Sequence, residues 1–416
     1  MDMAEIKKRS VKTNMLFNTV GSTVYYFCVW LASVIIVRLS GFIDAGLFSL
    51  AMTVTNSPAV IALFNMRNYQ ASDLKGEFTD KTYLSSRVVS CAISFVICIG
   101  MVLFYGYDPM KAAAILVFMG FKIVEGAADV LYGVDQKQER LDYAGISLTI
   151  RGIGTLAAFI VVFLVSHSLL ISFIAMTVVS LSVVLIYDVR VTKPLLDGRK
   201  TEELWKNVGK LLVICLPLAV VLFLNNYAIM IPRLVLENSY GEEIMGYYSS
   251  VSSPTVIVQV AAQTLFAPLV PGLTRYFTEK QKKPFLKGLF GFFAFAGVLT
   301  IIAIALAYFC GEWLLVAVFK EEIIPYVYLF IPILLMSVLI AVNVALFAVV
   351  TLMRIIKPQY IIGVAGIVSS IIFSFALLPH MSCDGVVIAT MLSMVIQILI
   401  QIIMIAVGVR KHFRVS

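Results

Sequence analysis

The chain has 416 residues, of which 61% are hydrophobic and 13% charged, with a formal net charge of +8. Such an apolar composition excludes a soluble globular protein. The positive charge does not point to nucleic acid, because it is gathered into alternate polar breaks between long apolar stretches, where anionic headgroups would lie.

A membrane-crossing helix needs about 20 mostly apolar residues. About twelve stretches meet that length, roughly 13–38, 44–66, 82–105, 110–133, 142–166, 168–190, 206–232, 244–269, 285–309, 325–353, 358–379 and 384–409. The polar start runs directly into a first stretch too long for a signal peptide, so that helix is expected to be retained. Lys7, Lys8, Arg9 and Lys12 precede it, and Arg67, Lys75, Lys81 and Arg87 surround the second break. Lys137 and Arg140 lie in the fourth break, and Arg190, Lys193, Arg199, Lys200, Lys206 and Lys210 in the sixth. Arg275, Lys280, Lys282, Lys283 and Lys287 lie in the eighth, Arg354 and Lys357 in the tenth, and Arg410, Lys411 and Arg414 close the chain. The opposite breaks hold only Arg38, Lys111, Arg233 and Lys320. This asymmetry predicts cytoplasmic N- and C-termini. It leaves Lys122 and Arg151, which fall inside apolar stretches.

The outer breaks are short, such as Ser166-His167-Ser168, and leave no room for a folded soluble domain. The most hydrophilic segment, 191–205, divides the chain into an N-terminal six-helix lobe (1–190) and a C-terminal one (206–416). An even number of helices per half makes a parallel repeat. Ala45-Gly46-Leu47-Phe48-Ser49 matches Met245-Gly246-Tyr247-Tyr248-Ser249, and Val37-Arg38-Leu39 matches Pro232-Arg233-Leu234. Five prolines within spans (Pro58, Pro217, Pro254, Pro268 and Pro332) are either bending points or the ordinary prolines of membrane helices. The six cysteines lack any metal-ligand spacing or loop framework and read as small core residues. No metal site, cofactor motif or catalytic constellation appears, since His167, His380 and His412 lie in loops or the tail.

Lys122, Glu125 and Asp129 share one helical face at i, i+3 and i+7, and Arg151 lies about nine residues into the next helix. Each charge facing lipid would cost about 2.5–3.5 kcal/mol, so all four must face protein or a wet cavity. One reading is a salt-bridge network, Lys122 with Glu125 and Arg151 with Glu125 or Asp129. The other is a cationic cavity for an anionic ligand, balanced by the two acids when empty. Arg38 and Arg233 are either anchors snorkelling to headgroups or the flanks of an outer vestibule. Asn225, Asn226, Tyr227, Asn343, Gln397 and Gln401 suit interhelical hydrogen bonds or a sugar-lined cavity.

Arg67-Asn68-Tyr69-Gln70-Ala71-Ser72-Asp73 resembles a signature of bacterial polysaccharide flippases of the Wzx type. So does the run Lys122-x-x-Glu125-x-x-x-Asp129, Tyr132-Gly133, Gln136-Lys137, Arg140-Leu141-Asp142, Gly145-x-Ser147 and Arg151-Gly152. The Gly-x-Tyr/Phe-Ser pattern opening the second and eighth spans is similar to that of the wider multidrug, oligosaccharidyl-lipid and polysaccharide (MOP) exporter superfamily. The resemblance implies an all-α membrane protein of two six-helix lobes in a V, the MOP/MATE-like arrangement, in the bacterial cytoplasmic (inner) membrane. It implies an undecaprenyl-diphosphate-linked oligosaccharide repeat unit, of O-antigen, capsule or lipopolysaccharide type, moved from inner to outer leaflet by alternating access. Lys122 and Arg151 would attract the diphosphate or acidic sugars, with Glu125 and Asp129 as counter-charges. Arg67, Tyr69, Gln70 and Asp73 would form the cytoplasmic mouth, and Arg38 and Arg233 would serve the outer vestibule. Its partners would be the lipid-linked oligosaccharide and membrane lipids, with a polysaccharide polymerase or chain-length factor as further candidates and no nucleic acid. Teichoic-acid or peptidoglycan precursor flippases and drug/cation antiporters of the same superfamily are the alternatives. A membrane polymerase or ligase is more remote, because the outer loops are short.

Overall fold

The computed structural model describes residues 11–73, 76–256, 269–353, 355 and 358–414. Lys7, Lys8, Arg9, Lys75, Pro268, Arg354 and Lys357 lie outside them, as do the side chains of Lys12 and Arg414. Among the described residues every regular element is helical. Helix α1 spans Val11–Ser40, α2 Phe42–Leu63, α3 Met66–Ser72, α4 Asp80–Tyr105, α5 Pro109–Lys137 and α6 Leu141–Ser166. Helix α7, Leu169–Val183, continues through a π-turn at Val184–Asp188 into one last turn, α8, Val189–Thr192. Then come α9 (Leu204–Ser252), α10 (Leu269–Thr278), α11 (Lys282–Phe319), α12 (Phe330–Leu352) and α13 (Gln359–Arg414).

Nine described helical stretches are long and apolar enough to cross a membrane by length and composition. Helix α5 has the length but carries Lys122, Glu125 and Asp129. Two of the nine, Leu204–Thr255 and Gln359–Phe413, run for 52 and 55 residues, well beyond one crossing. Each is interrupted at one residue of non-helical backbone, Gly241 (φ 83°, ψ 179°) and Ser382 (φ 46°, ψ −121°). Local chemistry sets other ends. Asp108 accepts from the backbone N–H of Met110 and Lys111 while Pro109 opens α5, and Thr79 caps α4 through the N–H of Thr82. Pro332 falls in the first turn of α12, directly after a 3-10 stretch at Glu321–Leu329.

The residues divide into two compact units. The first gathers α1 through Ile35 together with Leu50–Phe223, and the second gathers Ile36–Ser49 with Leu224 onward. Helices α1, α2 and α9 thus each contribute to both. The hydrophilic segment at 191–205 belongs to the first unit and is pinned to the loop before α4. Asp197 donates its backbone N–H to Asp80 at 2.8 Å, Arg199 donates to the carbonyls of Gly76 and Phe78, and the Thr79 and Thr201 hydroxyls meet at 2.6 Å.

In the first unit, α1 and α6 approach through glycine. A Cβ on Gly145 would strike the Phe17 carbonyl, and one on Gly152 would lie 2.9 Å from Tyr25 Cα. Apolar residues Val124, Ala128, Leu131, Ala144 and Val184 fill the far side of α5. Close backbone approach of this kind is a principal source of helix association in lipid. Gly145→Leu is expected to destabilise the protein by about 2–3 kcal/mol through overpacking. Its melting temperature in detergent should fall, and an unchanged one would refute the contact.

In the second unit, the two matched glycine motifs meet. A Cβ on Gly46 would strike the Glu242 carbonyl, and one on Gly246 would strike that of Phe42. Gly41 (φ 89°) stands to Gly46 as Gly241 (φ 83°) stands to Gly246, and the rings of Phe42 and Tyr247 stack at 4.0 Å. This reciprocity supports the internal repeat, but it corrects one part of the match. Arg38 lies three residues before Gly41, whereas Arg233 lies eight before Gly241, so the two arginines are more than a helical turn out of register. Deeper in the unit, Asn343 donates to Gln397 at 3.3 Å and accepts from Gln401 at 2.6 Å, joining α12 to α13.

Candidate functional site

The charges of α5 face inward in the first unit and collect partners from three other helices. Lys122 Nζ lies 2.9 Å from Glu125 Oε2, with the rings of Phe118 and Phe121 at 5.7 and 5.8 Å. The second Glu125 oxygen accepts from the Tyr25 hydroxyl of α1. One turn on, Asp129 is held by two arginines. Arg87 of α4 donates to Oδ2 at 2.7 Å, and Arg67 of α3 to Oδ1 at 3.5 Å. Arg87 also donates to the Ala62 carbonyl at 2.6 Å, near the C-terminus of α2. Such terminal carbonyls lack intrahelical donors, and the Ser90 hydroxyl shares this one. Phe64 and Asn65, both at φ 50°, end α2 and redirect the chain so that α3 presents Arg67 to α5. There Arg67 also donates to Gln136 Oε1 at 3.0 Å.

Arg151 differs from the other cations. Its side chain is 2% exposed, yet Nε and Nη1 have no hydrogen-bond partner among the described residues. Its guanidinium lies 5.3 Å from the centre of the Tyr25 ring and 5.7 Å from that of Tyr132, and Arg67 approaches the Tyr132 ring at 5.7 Å. Tyr132 is fixed in turn by Ser147 at 2.7 Å. Glu125 and Asp188 interact with Arg151 electrostatically, but Asp129 is fully taken by Arg87 and Arg67. Asp188 closes the π-turn after α7, is 2% exposed, and leaves Oδ2 without a partner among the described residues. Two aromatic faces partly compensate the buried guanidinium, but its unused N–H groups still lack the acceptors that buried donors normally find.

Of the expected mouth residues, Arg67 belongs to the charge cluster and the others serve the loop beside it. Tyr69 donates to Glu77 at 3.1 Å. Gln70 is fully buried against Gly133, with neither amide atom partnered among the described residues. Asp73 accepts from the N–H of Glu77 at 2.8 Å, the N–H of Phe78 at 3.1 Å and the Tyr83 hydroxyl at 3.1 Å. Burial pushes the Asp73 carboxyl up, but these three donors outweigh it and hold it below its ordinary value. A depressed folded value means that the stabilisation is present above the unfolded pKa of about 3.9 and is lost as pH falls through the folded one. Asp73→Asn is therefore expected to lower stability at neutral pH by about 1–3 kcal/mol, with the gap to wild type closing in acid. Parallel melting curves across pH test this, and a gap that widens in acid would contradict it.

In the second unit, Arg38 donates to the Val318 carbonyl at 2.8 Å and to that of Ala317, capping α11. Arg233 lies against the Tyr248 ring at 5.7 Å. Three members of the first-unit cluster were not legible as such. Arg87 counts as a loop charge in the sequence but is buried in the second turn of α4, Tyr25 looks like an ordinary tyrosine of an apolar span, and Tyr132 stands in the flippase-like run without a role of its own. The available signal for Arg87 was its place inside the 82–105 span.

No family model matches the chain. The capsular polysaccharide biosynthesis protein CapF of Staphylococcus aureus is 25% identical over 313 residues, 74% of this chain and 77% of that protein. Among solved structures, the MATE multidrug transporter DinF-BH superposes with a TM-score of 0.71 at 13% identity, covering 100% of this chain and 99% of its own. The eukaryotic MATE transporter AtDTX14 gives 0.69 at 16% identity, covering 97% and 98%. An inward-facing multidrug resistance MATE family transporter of the MOP superfamily gives 0.67 at 12%, covering 98% and 97%. Along its whole length, then, the chain has the fold seen in the MATE transporters of the MOP superfamily, and its nine long apolar helical stretches among the described residues fit a multi-pass membrane protein.

Proposed function

We propose that the protein is a flippase for undecaprenyl-diphosphate-linked oligosaccharides, carrying capsule or O-antigen repeat units from the inner to the outer leaflet of a bacterial cytoplasmic membrane. Twelve crossings, cytoplasmic termini and two alternating lobes complete this reading. The observation that carries it is Arg151, a buried guanidinium with two donors unused. In a medium of low dielectric such a group calls for an anion, and the planar fork suits a phosphate oxygen pair. Lys122 supplies the second cation once Glu125 gives way. Likeness to a capsular polysaccharide biosynthesis protein supports a glycan-bearing lipid over a free anion. A cation exporter of the same fold fits less well, because a guanidinium with unused donors in its interior would repel the cargo.

Deleting the gene in its native host tests the proposal. The expected result is loss of surface polysaccharide with build-up of a diphosphate-linked glycan in the inner leaflet. Normal surface polysaccharide, with no such intermediate, would refute it.

A further inference from the structure

We infer that Tyr25 is a positioning residue that keeps Glu125 off Arg151, so that Arg151 stays open for an anionic ligand. The inference rests on the reading of Arg151 as the ligand-binding cation. Tyr25 is 6% exposed and touches both groups, its hydroxyl donating to Glu125 Oε1 and its ring lying 5.3 Å from the Arg151 guanidinium. Lys122 takes the other Glu125 oxygen at 2.9 Å. Both carboxylate oxygens are therefore occupied and its plane is fixed, although a buried cation with unused donors lies within electrostatic reach. That arrangement is unstable to the loss of one bond. Without the Tyr25 hydroxyl, Oε1 is a buried acceptor without a donor, and Arg151 Nε and Nη1 are buried donors without an acceptor. Glu125 then turns to bridge Lys122 and Arg151, and an incoming anion must displace it.

The Gly152 contact explains why Tyr25 can play this part. Only a residue without Cβ at 152 lets the α1 backbone come close enough for one tyrosine to reach α5 and underlie the guanidinium beside it. The aromatic ring contributes separately, since it faces the cation whether or not the hydroxyl is present. Tyr25→Phe therefore removes the latch and leaves the packing.

The test uses the full-length protein in detergent and inorganic pyrophosphate as probe, with binding followed by titration calorimetry. Wild type is expected to bind and Arg151→Ala to bind about 100-fold more weakly. Tyr25→Phe should bind about tenfold more weakly or worse, the equivalent of one charge-assisted hydrogen bond, without a lower melting temperature. Tyr25→Phe combined with Glu125→Gln should return to wild-type affinity or better, because the amide no longer competes for Arg151. Glu125→Ala replaces Glu125→Gln in the pair if the latter fails to fold. A Tyr25→Phe protein that binds like wild type overturns the role of Tyr25 alone, as does a double variant no tighter than the single one. A wild-type protein that ignores pyrophosphate overturns the reading of Arg151 and this inference with it. Export of glycan by the same variants then shows whether the flippase reading survives independently.

Discussion

Arg151→Ala is expected to abolish surface polysaccharide while the protein stays in the membrane at its usual abundance. The two effects separate because Nε and Nη1 of Arg151 hold nothing among the described residues. Deleting a hydrogen-bonded buried cation strands its acid, whereas deleting Arg151 breaks no hydrogen bond at Nε or Nη1 and costs its contacts with Tyr25 and Tyr132 and its longer-range attraction to Glu125 and Asp188. The ligand loses a desolvated charge-assisted contact of about 2–5 kcal/mol, so affinity for a diphosphate should fall by about 100-fold. Arg151→Lys keeps the charge without the fork and should lie between the two. Lys122→Ala should also abolish export, by a different route, since it frees Glu125 to close on Arg151. Complementation of a deletion strain, with the variants quantified in membranes, decides the matter. Normal polysaccharide from a stable Arg151→Ala protein would remove this residue from the mechanism.

The nine long apolar stretches were readable in the sequence because the bilayer imposes one strong constraint. Backbone groups must be satisfied within the segment, so each crossing is written as a long apolar run with little room for alternatives. The pairing of Lys122 with Glu125 was equally legible, being set by helical spacing. What escaped depends on tertiary approach. Positive-inside counting assigns Arg87 to a loop by its nearness to polar residues, whereas the Ala62 carbonyl and Asp129 draw it into the core. Tyr25 acquires its role only because glycines at 145 and 152 admit α1, a relation that no local pattern reveals. The repeat shows the same division. Glycine motifs keep their register because positive φ and backbone contact tolerate no substitute, while Arg38 and Arg233 do not occupy equivalent positions.

Arg87→Ala should do the opposite of Arg151→Ala and cost stability before function. Arg87 is 2% exposed, binds Asp129 at 2.7 Å and ties α4 to the α2 terminus through Ala62. Its loss leaves Asp129 with only the 3.5 Å contact to Arg67, and leaves the Ala62 carbonyl with Ser90 alone. Breaking a buried pair in this way costs about 3–5 kcal/mol, a large share of a typical domain's net stability. The variant should therefore melt well below wild type and fall in membrane abundance, and any export defect should scale with that loss. Replacing both partners, Arg87→Met with Asp129→Leu, removes the stranded acid and should recover most of the stability, because an apolar pair avoids the desolvation cost that the ion pair carries. An Arg87→Ala protein with a wild-type melting temperature would show that Arg67 alone suffices for Asp129. Arg87 would then be a second cation available to the ligand rather than a tie in the core.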